Sequence, residues 1–416
     1  MNKETFDLND DLKEILHLFE NSKKHLFITG KAGTGKSSLI NYIRKRKKKN
    51  FIILAPTAIA ALQVHGKTIH SFFNLPFHIV TKNDIKKHYN KRLINKLDTI
   101  IIDEVSMLRP DILDAIDITL QKTRGNTEPF GGIQIVLVGD LYQLPPVITN
   151  DEIPIMDKLY PDGHFFFNSY VMQNLELTKF ELSNIFRQTD LQLIELLDKA
   201  RNSLINNSDL KVLNQRMMDE SDTIPDNTLV LSPRNDSVNK INSYNLSSIS
   251  SKEYSYEADI DGNFSGNPVD QSLKLKVGAQ VIIVKNGINW VNGTLATIHK
   301  LTNNEVHIKI KEEVYKLEKE KWEKYEYTIS KEKIIPTVSA TFIQYPIKLA
   351  WAATIHKCQG QTFANIVLDM GQGAFAHGQT YVALSRVISL EGLYLRRPLQ
   401  INDFIFNEKI REFLVD

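Results

Sequence analysis

Eight residues near the start of the chain, Gly30-Lys31-Ala32-Gly33-Thr34-Gly35-Lys36-Ser37, have a spacing suited to holding phosphate. The pattern G-x-x-x-x-G-K-[ST] lets the backbone fold close around an anion, with successive N–H groups pointing inward at a helix N-terminus. Gly33, Thr34 and Gly35 would form the cradle, Lys36 would hold the β- and γ-phosphates, and the Ser37 hydroxyl would ligate magnesium. Such a loop needs a carboxylate across the sheet to share the metal, with a base beside it. The pair Asp103-Glu104, at the end of the apolar run Ile100-Ile101-Ile102, supplies both. Asp103 would bind the metal directly or through water, and Glu104 would polarise the attacking water. An Asp-Glu pair after an apolar run is by itself an ordinary strand cap; the phosphate loop gives it a catalytic reading. Further on, Gln143 in Gly139-Asp140-Leu141-Tyr142-Gln143-Leu144-Pro145-Pro146-Val147 can read the γ-phosphate or its water, while the two prolines stiffen the exit. The expected cofactors are ATP and Mg2+.

These side chains converge only if regular elements carry them. Leu12, Ile15, Leu16 and Phe19 have the spacing of an amphipathic helix. Residues 25–29 read as a buried strand that breaks at Gly30, and a helix over 36–48 would turn Leu39, Ile40 and Ile43 inward. Residues 51–55, 99–102 and 133–138 are further strand-like runs. Between the last two, a helix with Pro110 near its start gathers Ile112, Ala115, Ile116, Thr119 and Leu120 on one face. This alternation predicts a parallel sheet covered on both sides. A second such unit begins near Leu182, with a helical stripe of Leu193, Ile194 and Leu197 and a strand over 228–232. Between residues 292 and 345 the turn pairs Asn292-Gly293 and Asn303-Asn304 separate short alternating runs, which predicts an inserted all-β module. The expected domains are therefore 1–180, then 181–291 together with 346–416, with the module over 292–345.

Composition leaves the partner open. The chain has 416 residues, 42% hydrophobic and 24% charged, which suits a soluble protein of two or three domains. Fifty-one basic side chains nearly balance forty-nine acidic ones, so a nucleic-acid path would have to come from local clustering. The run Arg44-Lys45-Arg46-Lys47-Lys48-Lys49 could touch phosphate, or it could simply suit a helix C-terminus and stay solvated. The single cysteine, Cys358, excludes an internal disulfide framework and a cysteine-based zinc site. No apolar stretch suggests a membrane span or signal peptide, so a cytoplasmic protein is expected. The Lys-, Asn- and Ile-rich text suggests a bacterial or phage genome, and with the former a place near the nucleoid.

Several motifs together resemble the PIF family of helicases, of superfamily one class B, whose relatives include RecD-like helicases. Pro129-Phe130-Gly131-Gly132-Ile133-Gln134 runs into the Gly139–Val147 segment, and Asp103-Glu104-Val105-Ser106-Met107 begins the same signature. In family order come Ala55-Pro56-Thr57-Ala58-Ile59-Ala60-Ala61, Thr68-Ile69-His70-Ser71-Phe72 and Asn184-Ile185-Phe186-Arg187-Gln188. Ala353-Thr354-Ile355-His356-Lys357-Cys358-Gln359-Gly360-Gln361-Thr362 and Tyr381-Val382-Ala383-Leu384-Ser385-Arg386 follow. The resemblance implies an α/β fold of two RecA-like domains with ATP between them, an SH3-like β module and a short wedge insertion at about 74–97. It makes Arg187 and Arg386 arginine fingers, and it has Gln359 and Gly360 link the ATP cleft to a DNA track. Thr57, His70, Ser71, His356 and Lys357 would contact single-stranded DNA. Phe72 would stack on bases, although core packing is an equal reading for Phe72 and Phe73. The wedge bears Lys82, Lys86, Lys87, His88, Lys91 and Arg92 around Tyr89, which also suits a merely solvated helix.

Two departures from the family pattern stand out. Cys358 takes a slot where the family often has serine, and no glutamine precedes Gln63, so reading adenine would fall to Asn21 or to backbone groups. The function expected is an ATP-dependent DNA helicase, acting as a monomer on single-stranded, duplex or forked DNA and moving 5′ to 3′ by family resemblance. The alternatives are a translocase that does not separate strands and a nucleotide switch without turnover. A complete hydrolytic set with Glu104 argues against the switch.

Overall fold

In the computed structural model, which describes residues 10–46, 48–182, 190–219, 225, 228–264, 266–330 and 333–415, the first lobe is built on six parallel strands. Along the chain run α1 (Asp10–Asn21), β1 (His25–Gly30), α2 (Lys36–Arg46), β2 (Phe51–Ala55), α3 (Ala58–Gln63), β3 (Lys67–Thr68), α4 (Ile69–Phe73) and α5 (Lys91–Lys96). Then come β4 (Thr99–Ile102), α6 (Pro110–Arg124), β5 (Gln134–Val138), α7 (Ile153–Leu159) and β6 (Leu177–Leu182). The strand order is β3-β2-β4-β5-β1-β6. Successive side chains of a strand point to opposite faces, so both faces must be covered. Leu26 and Ile28 pack with Ile15, Leu16 and Phe19 of α1 and with Leu39, Ile40 and Ile43 of α2; Phe27 packs on the other side with Leu113 and Ile116 of α6. As a result the C-terminal ends of β1, β4 and β5 lie side by side at one edge, where open sheets of this kind bind ligands.

The second lobe contains α8 (Leu191–Arg201), α9 (Asn207–Asn214), β7 (Leu229–Ser232) and α10 (Asn235–Ser248). The antiparallel part follows as β8 (Glu253–Glu257), β9 (Asp259–Asp261), β10 (Ser272–Lys276), β11 (Gln280–Ile283), β12 (Leu295–Leu301), β13 (Val306–Ile310), β14 (Glu313–Leu317), β15 (Glu320–Ser330), β16 (Lys333–Gln344) and β17 (Ile347–Leu349). The chain then re-enters the lobe as β18 (Ala352–Thr354), β19 (Ile366–Leu368), α11 (Gln379–Leu384), β20 (Leu393–Leu395) and α12 (Glu408–Val415). Its sheet has the parallel order β18-β7-β19-β20, so the module departs after β7 and returns to the strand beside it.

Two expectations need correction. The antiparallel strands start at Glu253, well before residue 292, because β8 and β10 already bury alternate side chains such as Tyr256, Leu273 and Leu275. The turn pairs mark only interior hairpins. The segment 74–97 is helical only in α5; before it the chain is irregular and packs Leu75, Ile79, Val80 and Ile85 into the core. The Val80 amide donates to Asp111 at 2.9 Å and the His88 amide to Thr123 at 2.8 Å, which ties the segment to α6. His88 is buried against the Phe72 carbonyl and leaves the basic surface to Lys82, Lys86, Lys87, Lys91 and Arg92.

The long β15–β16 arm reaches back to the first lobe. β3 pairs only with Leu54 and Ala55, and beyond it the Tyr327 hydroxyl takes the place of a strand. It accepts from the Ile53 amide at 2.9 Å and donates to the Ile53 carbonyl at 3.1 Å. Lys67–Glu326, at 3.2 Å, and the Ile334 amide on Asn50 Oδ1, at 3.2 Å, lie alongside. Tyr327→Phe leaves two buried backbone groups without a partner and should cost about 1–3 kcal/mol. Urea unfolding would show this as an earlier midpoint, with faster exchange at the Ile53 amide; an unchanged midpoint and exchange rate would mean that the hydroxyl contributes nothing.

Candidate active site

The phosphate loop joins β1 to α2, as its spacing required. Gly33 and Gly35 have φ of 84° and 88°, a left-handed backbone that side-chain-bearing residues rarely adopt. Thr34 closes the turn through its amide and hydroxyl, both donating to the Lys31 carbonyl at 3.3 and 3.0 Å. The Lys36 ammonium arches over the loop to the carbonyls of Gly30, at 2.7 Å, and Lys31, at 3.1 Å. Ser37 is exposed in the first turn of α2.

Asp103 and Glu104 follow β4 at the same edge. Asp103 is buried, and its Oδ1 accepts from the Glu104 amide at 2.9 Å. Glu104 adopts φ 51° and ψ 44°, a conformation that costs a non-glycine residue about 1–3 kcal/mol and clusters at functional sites. Burial raises both carboxyl groups above their ordinary range, Asp103 further through the charge of Glu104. Burial pulls the Lys36 ammonium down, opposed by Asp140, Glu104 and Asp103. These opposed shifts place one cation among three carboxylates. Asp103 and Ser37 offer only oxygen, the donor type that suits a magnesium ion shared with phosphate oxygens.

Asp140 is the hub of the next layer. It accepts from Gln143 Nε2 at 3.0 Å and from the Tyr381 hydroxyl at 3.4 Å, and Arg201 Nη2 lies 3.8 Å away. The Arg201 guanidinium also pairs with Glu181 at 3.1 Å and lies over the Tyr142 ring, 4.1 Å from its centroid. Gln359 of the second lobe donates through one amide nitrogen to Glu104 Oε2 at 3.0 Å and to Gln143 Oε1 at 2.9 Å. Sequence reasoning misses Tyr381 and Arg201 as members of the site. Arg201 does leave a signal: it stands four residues after Leu197 on the apolar face of α8 and is buried there. A cation on such a stripe needs an anionic partner.

Further contacts close the lobes on each other. Lys31 pairs with Asp198 at 2.5 Å, and the Ala32 amide donates to the Tyr381 hydroxyl at 3.4 Å. The space left between the loop and α8 is about 20 Å³. His377 Nε2 meets the Leu141 carbonyl at 3.1 Å. Gly378, with φ 72°, lies so close that an added Cβ would come 2.4 Å from the Tyr142 carbonyl. Arg386 is fully buried, and its charge reaches Glu104, whose pKa burial raises and this charge lowers. Its guanidinium donates to the carbonyls of Gln361, at 3.0 Å, and Cys358, at 3.4 Å, and to Ser385 Oγ at 2.7 Å. It thereby grips the turn that carries Gln359 and Gly360. Arg187 lies outside the described residues.

Two hollows flank α3. The larger, about 830 Å³, is lined from the first lobe by Gln63 and His65, from the module by Lys285, Lys321 and Trp322, and from the second lobe by Lys357 and Gln359. The smaller, about 210 Å³, contains His70, Phe77, Phe264 and Lys324. Thr57 caps α3 by accepting from the Ala60 amide, and Thr68 caps α4 by accepting from the Ser71 amide. Half-buried His70 stacks on Phe77, with centroids 5.1 Å apart, and burial lowers its pKa, as it does for His356. Phe72 corrects a reading: it is 2% exposed and packed against Phe73, His88 and Tyr327, so it has no face to offer a base. Phe77, in the smaller hollow, and Tyr89, stacked on His88, are exposed rings in this region.

The chain is similar to known helicases over most of its length. Residues 7–211 match the family model described as PIF1-like helicase. The chain is 30% identical to the ATP-dependent DNA helicase Pif1 of Bdellovibrio bacteriovorus, over 90% of this chain and 84% of that one. It superposes on Bacteroides Pif1 in complex with ADP-AlF4 with a TM-score of 0.90 at 35% identity, covering 98% of this chain and 96% of the other. Against Bacteroides Pif1 bound to ssDNA, with the same identity and coverage, the TM-score is 0.71.

Removing the Arg386 guanidinium would strip hydrogen bonds from buried carbonyls. Arg386→Ala should therefore lose about 2–4 kcal/mol of stability in addition to any loss of turnover. Chemical denaturation measures this directly, and a variant as stable as the parent would show that the guanidinium does not hold the turn.

Proposed function

This chain belongs to the PIF1-like helicase family, and we propose that it is an ATP-driven motor that tracks along single-stranded DNA from 5′ to 3′ and parts the duplex ahead of it. The observation that carries this reading is the polar chain crossing between the lobes, from Arg201 through Asp140, Gln143 and Gln359 to Glu104. A site assembled from two lobes changes its chemistry when they move, and motion in the cleft is transmitted to the groove beside α3.

The first lobe grips the triphosphate through the loop backbone, Lys36 and Ser37. Magnesium, held by Ser37 and Asp103, would neutralise phosphate charge when bound. Glu104 takes the proton of the attacking water, favoured by burial that raises its basicity, while Gln143 orients that water. Arg201 and Tyr381 keep Asp140 in place and so fix the Gln143 amide. Arg386 acts here through the turn it holds; Arg187 is assigned as a finger on family resemblance. Strand contacts are assigned to Thr57, His70, Ser71, His356 and Lys357, with Phe77 in the stacking role that Phe72 cannot take. Neutral imidazoles and hydroxyls bind phosphate without a large permanent charge, which suits repeated grip and release. The basic surface of residues 82–92 is assigned to the fork. The protein is proposed to act as a cytoplasmic monomer.

With oligo-dT added, ATP turnover should rise steeply, and Glu104→Gln should abolish it while leaving nucleotide binding intact. Strand displacement on tailed duplexes should need a 5′ tail and ATP. Turnover indifferent to DNA would remove the motor reading, and displacement from 3′ tails only would reverse the direction.

A further inference from the structure

Gln359 has two amide hydrogens, and both are spent on the hydrolytic machinery of the other lobe. One goes to Glu104 Oε2 at 3.0 Å, the other to Gln143 Oε1 at 2.9 Å. The second contact tethers the Gln143 amide at both ends, since its own nitrogen already donates one hydrogen to Asp140 at 3.0 Å. A carboxylate oxygen and a glutamine amide engaged in this way are held in one orientation and must give up these bonds to reorient. The turn that presents Gln359, residues His356–Cys358, lies against the larger groove, whose wall includes Lys357, Cys358, Gln359 and Gln361. The other side of that turn is anchored by Arg386 through the Cys358 and Gln361 carbonyls, on either side of Gln359. One short turn thus faces the groove with Lys357 and the general base with Gln359.

We propose that Gln359 is a brake: a positioning residue that holds Glu104 and Gln143 in a parked arrangement and releases them when a strand occupying the groove displaces the 356–361 turn. This rests on the motor reading above and deepens it, because it assigns the low DNA-free rate to one side chain. A brake that acts on the parked state alone must raise the unstimulated rate when it is removed. A residue that merely supports the fold would lower both rates.

The test measures ATP hydrolysis by the full chain with and without oligo-dT, together with oligo-dT binding by fluorescence anisotropy. Gln359→Leu keeps the volume and removes both donors. Its DNA-free kcat should rise about tenfold, the equivalent of two lost hydrogen bonds, with KM for ATP unchanged and the DNA-stimulated plateau within about twofold of the parent. The stimulation ratio then collapses from below. If Gln359→Leu no longer binds oligo-dT, Gln359→Asn decides on the same criterion, since it is one methylene too short to span both acceptors. A DNA-free rate that stays level or falls in a variant that still binds oligo-dT overturns the brake. A parent enzyme indifferent to oligo-dT removes the motor reading itself, whereas a stimulated parent whose variants keep its DNA-free rate removes the brake alone.

Discussion

The constraint on which this molecule depends is a group of charges that cannot be stable alone. Lys36, Asp103, Glu104 and Asp140 gather in a notch where β1, β4 and β5 end, two of them buried and two partly so. Burying an unpaired charge is costly, and burying several is tolerable only when each finds partners of fixed geometry. The first lobe supplies some of these partners and lacks the rest. Arg201, Tyr381 and Gln359 come from the second lobe, so electrostatic satisfaction of the notch and apposition of the lobes are the same event. The parallel sheet, its covering helices and the return of the chain at β18 can all be seen as means of bringing these groups to one edge.

How much of this can be read from the sequence varies with the kind of interaction. The loop between β1 and α2 is legible because its glycines are demanded by backbone geometry, and that demand is local. Strands such as Thr99–Ile102 and Phe51–Ala55 are legible because a parallel strand buried on both faces must be apolar throughout. Phe72 is not decidable: an aromatic residue beside a histidine looks alike in a core and on a strand-binding face, and only the packing of Tyr327, 255 positions further on, separates the two. Arg201 and Tyr381 act through partners distant in the chain, which no spacing rule encodes. The early start of the antiparallel region is hidden because β8 and β10 lie in a polar stretch, where alternation is carried by only a few buried residues.

The two faces of the second lobe's motifs explain why polar residues are so dense there. Along 354–361, Thr354 accepts from the Lys357 amide, Arg386 holds the carbonyls of Cys358 and Gln361, Gln359 bonds Glu104, and Lys357 is exposed beside the groove. A segment with so many directed bonds moves as a piece or not at all. Coupling between two distant ligands needs an element of this kind, with discrete positions rather than a continuous range.

The hydroxyl of Tyr327 on β2 has a bearing beyond docking. A sheet whose border strand is two residues long presents free amide and carbonyl groups that a neighbouring molecule could pair with. A side chain that fills those valences blocks such templating without adding a strand, and it can withdraw as a single group. One hydroxyl on the arm thus answers the backbone groups of Ile53 that the two-residue border strand is too short to reach.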